Sequence, residues 1–72
     1  MKSGEFADRI KRLGKSRSVT VFLDDPRGKS SHATLYFGSR RTTVKDRRKE
    51  IGPGLLNAML SQLGLTKKDI GL

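Results

Sequence analysis

Two residues, Gly38 and Ser39, separate two strand-like runs, and that spacing constrains the fold more than any other feature of the chain. The runs are Ala33-Thr34-Leu35-Tyr36-Phe37 and Arg40-Arg41-Thr42-Thr43-Val44. A two-residue link suits antiparallel pairing, since parallel strands need a crossover. Glycine in first place favours the type II′ turn, whose twist matches that of the strands. Val19-Thr20-Val21-Phe22-Leu23 is a third β-branched and aromatic run,. The turn-rich Asp24-Asp25-Pro26-Arg27-Gly28 follows it,. The middle of the chain thus predicts a three-stranded antiparallel meander.

Helical patterns flank the meander. Phe6, Ile10 and Leu13 recur at spacings of four and three, with Ser3 as a cap and Gly14 as a left-handed stop, which predicts a helix over 4–13,. Lys45 to Gly52 reads as a polar connector. Pro53 suits the first turn of a second helix. Leu55, Leu56, Met59, Leu60 and Leu63 form its apolar stripe, and Gly64 ends it,. Thr66 and Asp69 resemble a capping box, with aspartate in place of glutamate, before a short terminal turn,. The order α-β-β-β-α predicts one two-layer α+β domain over 1–72, with both helices on one face of the sheet and the other face open. Phe6, Ile10, Val19, Val21 and Leu23 join the helical stripe in the core by pattern.

At 72 residues with 33% hydrophobic composition, the core is thin and no deep cofactor cavity is expected,. The chain has no cysteine and one histidine, which removes disulfides, thiolate zinc sites and cysteine nucleophiles,. No metal or cofactor is expected. No apolar run approaches a membrane span. Charged residues at 2, 5, 8, 9, 11 and 12 break up any secretory signal,. The expectation is a soluble, cytoplasmic protein.

The net charge is +9, and its placement is uneven. Between Arg27 and Lys49 lie eight cations (Arg27, Lys29, Arg40, Arg41, Lys45, Arg47, Arg48 and Lys49) and one acid, Asp46. A polyanion partner, nucleic acid above all, is the natural reading. The sole histidine, His32, stands within this stretch just before a strand. Imidazole exchanges protons near neutral pH, and cations around it can hold a phosphate while it does so.

The run Gly28-Lys29-Ser30-Ser31-His32-Ala33-Thr34-Leu35-Tyr36 resembles the HicA family of bacterial toxins. The likeness continues through Arg41-Thr42-Thr43-Val44-Lys45-Asp46-Arg47, Glu50-Ile51-Gly52-Pro53-Gly54-Leu55-Leu56, the Met59 to Leu65 ending and the Met1-Lys2-Ser3 opening. The resemblance implies a double-stranded-RNA-binding-domain-like fold and the toxin half of a type II toxin–antitoxin pair. It also implies a ribonuclease acting on messenger RNA, with the family's active-site histidine at His32. A HicB-type antitoxin would cover that site and would make any contact with DNA. Ser30 departs from the glycine common in the family two residues before the histidine. The stretch Val19 to Arg27 is less similar than the rest.

RNA carries its own nucleophile, the 2′-hydroxyl. Cleavage needs a base for its proton, an acid for the leaving 5′-oxygen and cations for the phosphoryl oxygens. His32 can serve as general base or acid. Lys29, Tyr36 or a water can supply the second group, and Lys29 is also the nearest phosphate contact in sequence. Ser31 can cap the strand, bond a phosphate oxygen or orient His32. Tyr36 can stack on a base from the sheet's open side or be a half-buried strand residue. Arg40 and Arg41 at the hairpin tip, with Lys45 and Arg47 in the connector, attract RNA more diffusely. Two other classes fit the charge: a non-catalytic double-stranded-RNA-binding module, and a small DNA- or ribosome-associated basic protein. The lack of an evident recognition helix argues against sequence-specific DNA reading.

Overall fold

A computed structural model of the chain describes residues 1–24 and 32–72. It is an α+β structure of α1 (Ser3–Arg17), β1 (Val21–Asp24), β2 (Ala33–Phe37), β3 (Arg40–Val44) and α2 (Pro53–Gln62), followed by a 3₁₀ turn at Lys68–Ile70. The sheet is antiparallel in the order β1-β2-β3. At the hairpin, Gly38 has φ of +62°. Ser18 is the sole non-glycine residue with positive φ among the described residues, so Ser39 has a negative φ. This excludes the type I′ turn, which needs positive φ twice, and agrees with the expected glycine-first turn.

Alternation along the strands divides the sheet into two faces. Leu35, Phe37, Thr42 and Val44 are buried, and Val21 and Leu23 are half-buried on the same side. They pack with Phe6 and Ile10 of α1 and with Leu56, Met59 and Leu60 of α2, so both helices lie on one face. The Thr42 hydroxyl, buried in this layer, donates to the Gln62 side-chain oxygen. Leu55 departs from the expected stripe: it is exposed. An apolar stripe of five is wider than the one contact line that a single turn of sheet-packed helix closes off, and Leu56 takes the inward position. Ile51, in the connector, is buried instead.

Both ends of α1 differ from the local expectation. Ser3 is the first helical residue and Lys2 the cap position. The backbone N–H groups of Ser3 and Gly4 donate to the carbonyls of Lys49 and Arg47 at 2.9 and 3.0 Å, and the Ser3 hydroxyl also donates to Lys49. A distant connector therefore satisfies donors that a cap side chain would otherwise take. At the other end the helix runs past Gly14 to Arg17. Ser18 takes the left-handed conformation, and the Val19 N–H donates to the Gly14 carbonyl at 2.8 Å, as in a Schellman ending,. Gly14 is needed for close approach: a Cβ there would lie 2.3 Å from Val21 Cγ2 and 2.8 Å from the Val19 carbonyl oxygen.

The C-terminal turn docks on α1. Asp69 accepts from the Thr66 N–H at 2.8 Å and from its hydroxyl at 3.1 Å, the reciprocal half of the expected capping pattern. It also pairs with Arg17, while Arg9 donates to the Ile70 carbonyl at 2.7 Å. The Thr66 backbone N–H and then Arg17 hold the Asp69 carboxyl below the usual aspartate range. A carboxyl whose folded pKa lies below its unfolded one stabilises the fold above the unfolded value. That contribution is lost as pH falls through the folded value. The stability advantage of wild type over Asp69→Asn should therefore shrink in urea titrations carried below about pH 4. An advantage that stays constant with acidity would count against the pairing.

Candidate nucleic-acid interface

The sheet face turned away from the helices carries a cross-strand row. Phe22 lies opposite Tyr36, and Tyr36 opposite Arg41. The Phe22 and Tyr36 rings are stacked, with centroids 6.1 Å apart and planes at 27°. Phe22 is 58% exposed, which is unusual for the largest apolar side chain in its strand. The cause is parity: with Val21 and Leu23 on the helix side, Phe22 must point away,. The neighbouring row is Asp24, Thr34 and Thr43. Thr34, Tyr36, Arg41 and Thr43 border a shallow depression that continues round the β3 edge to Thr42 and Gln62 on the helix side.

His32 immediately precedes β2 and is exposed. Its parity is that of Thr34 and Tyr36. The last β2–β3 pair is Ala33 with Val44, so Lys45 follows β3 at the same end of the sheet, where it also borders a pocket with Leu55, Ala58 and Met59 of α2. His32 and Lys45 both lie just beyond the paired positions, at one end of the sheet. Tyr36 lies four residues along, roughly 13 Å of extended chain. That separation makes Tyr36 poorly placed to share one phosphate with His32 as a second proton-transfer group.

The two hairpin arginines part company. Arg41 is on the open face with Tyr36. Arg40 lies over the end of α2, where a Cβ on Gly64 would meet its Nε, Cζ and Cδ at 3.0 to 3.2 Å. A guanidinium at that place complements the carbonyl end of the helix. Arg47 is docked against α1: its carbonyl accepts from Gly4, and a Cβ on Gly4 would lie 3.4 Å from its Nε. With Arg48, Lys2, Arg9 and Arg12 it borders a second groove, which also contains Glu5 and Asp8. Asp46 accepts from the Arg48 backbone N–H at 3.0 Å and so shapes the connector. No carboxylate among the described residues forms an ion pair with Arg41, Lys45 or Arg47.

The expected roles of Lys29 and Ser31, and the Ser30 departure, fall outside the described residues. Among the described residues no group of three or more histidine, cysteine or acidic side chains is gathered to hold a metal ion. No described helix is long and apolar enough to cross a membrane. Comparison with protein-family models, with curated proteins and with solved structures gives no match to this chain.

The residue that sequence reasoning left without a role is Phe22. The signal for it was available: assigning Val21 and Leu23 to the core puts the aromatic between them on the opposite face.

Proposed function

We propose that this chain is a small endoribonuclease of the HicA type, with a double-stranded-RNA-binding-domain-like fold, and the toxin half of a type II pair. Messenger RNA is its substrate. A HicB-type antitoxin is its protein partner, covering the His32 end of the sheet. The observation that carries this reading is the position of His32: exposed, just before β2, on the open-face parity, with Lys45 just past the end of the neighbouring strand. The motif around His32 and the net charge of +9 support it.

In this mechanism His32 takes the proton of a 2′-hydroxyl. The 2′-oxygen attacks the adjacent phosphorus, the bond from phosphorus to the 5′-oxygen breaks, and that oxygen receives a proton from Lys29 or a water. The products are a 2′,3′-cyclic phosphate and a 5′-hydroxyl. Lys45 stabilises negative charge on the phosphoryl oxygens. Arg41 and Arg47 gather RNA to the surface, Ser31 assists His32 or the phosphate, and Arg40 contributes charge from the helix side.

The test is cleavage of labelled RNA in EDTA by wild type and by His32→Ala, with RNA binding measured for both. Cleavage confined to wild type, with binding kept in the variant, is the expected result. Binding without cleavage by either protein would select the second reading, a non-catalytic RNA-binding module. The groove of Lys2, Arg9, Arg12, Arg47 and Arg48 favours that alternative, because it needs no histidine.

Lys45→Ala should weaken RNA binding and flatten its salt dependence. One lost phosphate contact changes the slope of log K against log salt by about 0.7 for single-stranded RNA. An unchanged slope would mean that Lys45 touches no phosphate.

A further inference from the structure

We propose that Phe22, Tyr36 and Arg41 form a stacking platform for unpaired RNA bases, making single-stranded RNA the preferred ligand of the open sheet face. This rests on the ribonuclease reading for its consequence, substrate choice, but the platform itself can be tested without cleavage.

Three observations carry it. The Phe22 and Tyr36 rings stack within one cross-strand row, and Phe22 remains 58% exposed. Cross-strand aromatic pairing stabilises a sheet, yet a large exposed apolar ring on an edge strand invites aggregation unless it has a partner. Arg41 continues the row, and no carboxylate among the described residues pairs with it. Aromatic rings beside a guanidinium suit a chain that alternates flat bases with phosphates. Bases within a duplex are already stacked on each other and cannot lie on such rings, whereas an unpaired strand can offer its base faces. The row and His32 share one parity of β2, roughly 13 Å apart along the strand. Bases held by the platform therefore leave the strand a few nucleotides to run towards His32. Phe22 is then a positioning residue for the cut, acting through the RNA.

The experiment uses the full chain carrying His32→Ala, so that RNA stays intact. Binding of fluorescein-labelled oligouridine is compared with binding of a fully paired RNA duplex of equal length. Tyr36 is the only tyrosine and there is no tryptophan, so intrinsic fluorescence reports this row directly. Oligouridine should quench that emission. Phe22→Ala and Phe22→Leu should each lower oligouridine affinity by roughly 5- to 150-fold, the range for losing one base–aromatic stack. Phe22→Tyr should restore it, and duplex affinity should hold throughout. Phe22→Leu keeps the apolar bulk, so it carries the test even if the alanine variant melts early by circular dichroism. Unchanged oligouridine binding in Phe22→Leu, equal losses for the duplex, or binding without a change in tyrosine emission would each overturn the platform. Phe22-dependent binding by a protein whose wild type cuts no RNA would support the platform and reject the nuclease reading.

Discussion

Replacing His32 with alanine is expected to lower RNA cleavage by roughly 10²- to 10⁴-fold, the usual contribution of a positioned proton-transfer group. Binding should change far less, because affinity for a polyanion comes chiefly from cations, and the variant keeps all sixteen lysines and arginines,. The loss should therefore fall on kcat. The chemistry adds a second requirement. A substrate with one 2′-deoxy nucleotide at the scissile position lacks the nucleophile and should resist wild type, while cut products should end in 2′,3′-cyclic phosphates. Cleavage of the deoxy substrate at the same bond would reject the 2′-hydroxyl route. Equal rates for wild type and His32→Ala would move the chemistry to another residue.

Gly14→Ala should cost the fold about 2 kcal/mol or more, the upper part of the range for forcing extra atoms into a packed contact. In an ordinary helix the same change would help, by roughly 0.5–1 kcal/mol, because glycine loses more backbone freedom on folding. Here the added Cβ would meet Val21 Cγ2 at 2.3 Å and the Val19 carbonyl oxygen at 2.8 Å. A side chain can rotate away, but Val19 is held by its own N–H bond to the Gly14 carbonyl. Relief requires α1 and β1 to separate. For a domain of this size the melting temperature should fall on the order of 10 °C. Gly54→Ala is the internal control: it lies in α2, and an added Cβ meets nothing within 4 Å. That variant should melt at or above wild type. A Gly14→Ala protein as stable as wild type would mean that helix propensity outweighs the contact between α1 and β1.

The residues proposed to carry the chemistry are legible in the sequence to different degrees. His32 stands out by its type and its setting, and the sheet topology puts it at the same end of the sheet as Lys45. Arg40 and Arg41 look equivalent in sequence, yet strand alternation sends them to opposite faces. Arg47 looked like part of a loose basic connector. Its backbone instead completes the start of α1, a pairing between residues 4 and 47 that no local pattern announces.

What the sequence determined by itself was the order of elements, the antiparallel hairpin at Gly38-Ser39, the start of α2 at Pro53 and about half of the core: Phe6, Ile10, Leu56, Met59, Leu60 and Leu63. Those follow from short-range physics: the φ a residue tolerates, the N–H that proline lacks, and apolar spacings of two or of three and four. What only the tertiary structure decided was which of several locally acceptable options survives packing. Gly14 could have ended a helix, but β1 needs its bare backbone for close approach. Ser3 could have capped a helix, but the connector's carbonyls took up the free N–H groups first. Leu55 and Leu56 are equally apolar, yet only Leu56 is buried against the sheet, since one helix face can contact it at a time. Phe22 faces outward by the same geometry, because a strand that turns Val21 and Leu23 toward the helices has no inward direction left for the residue between them.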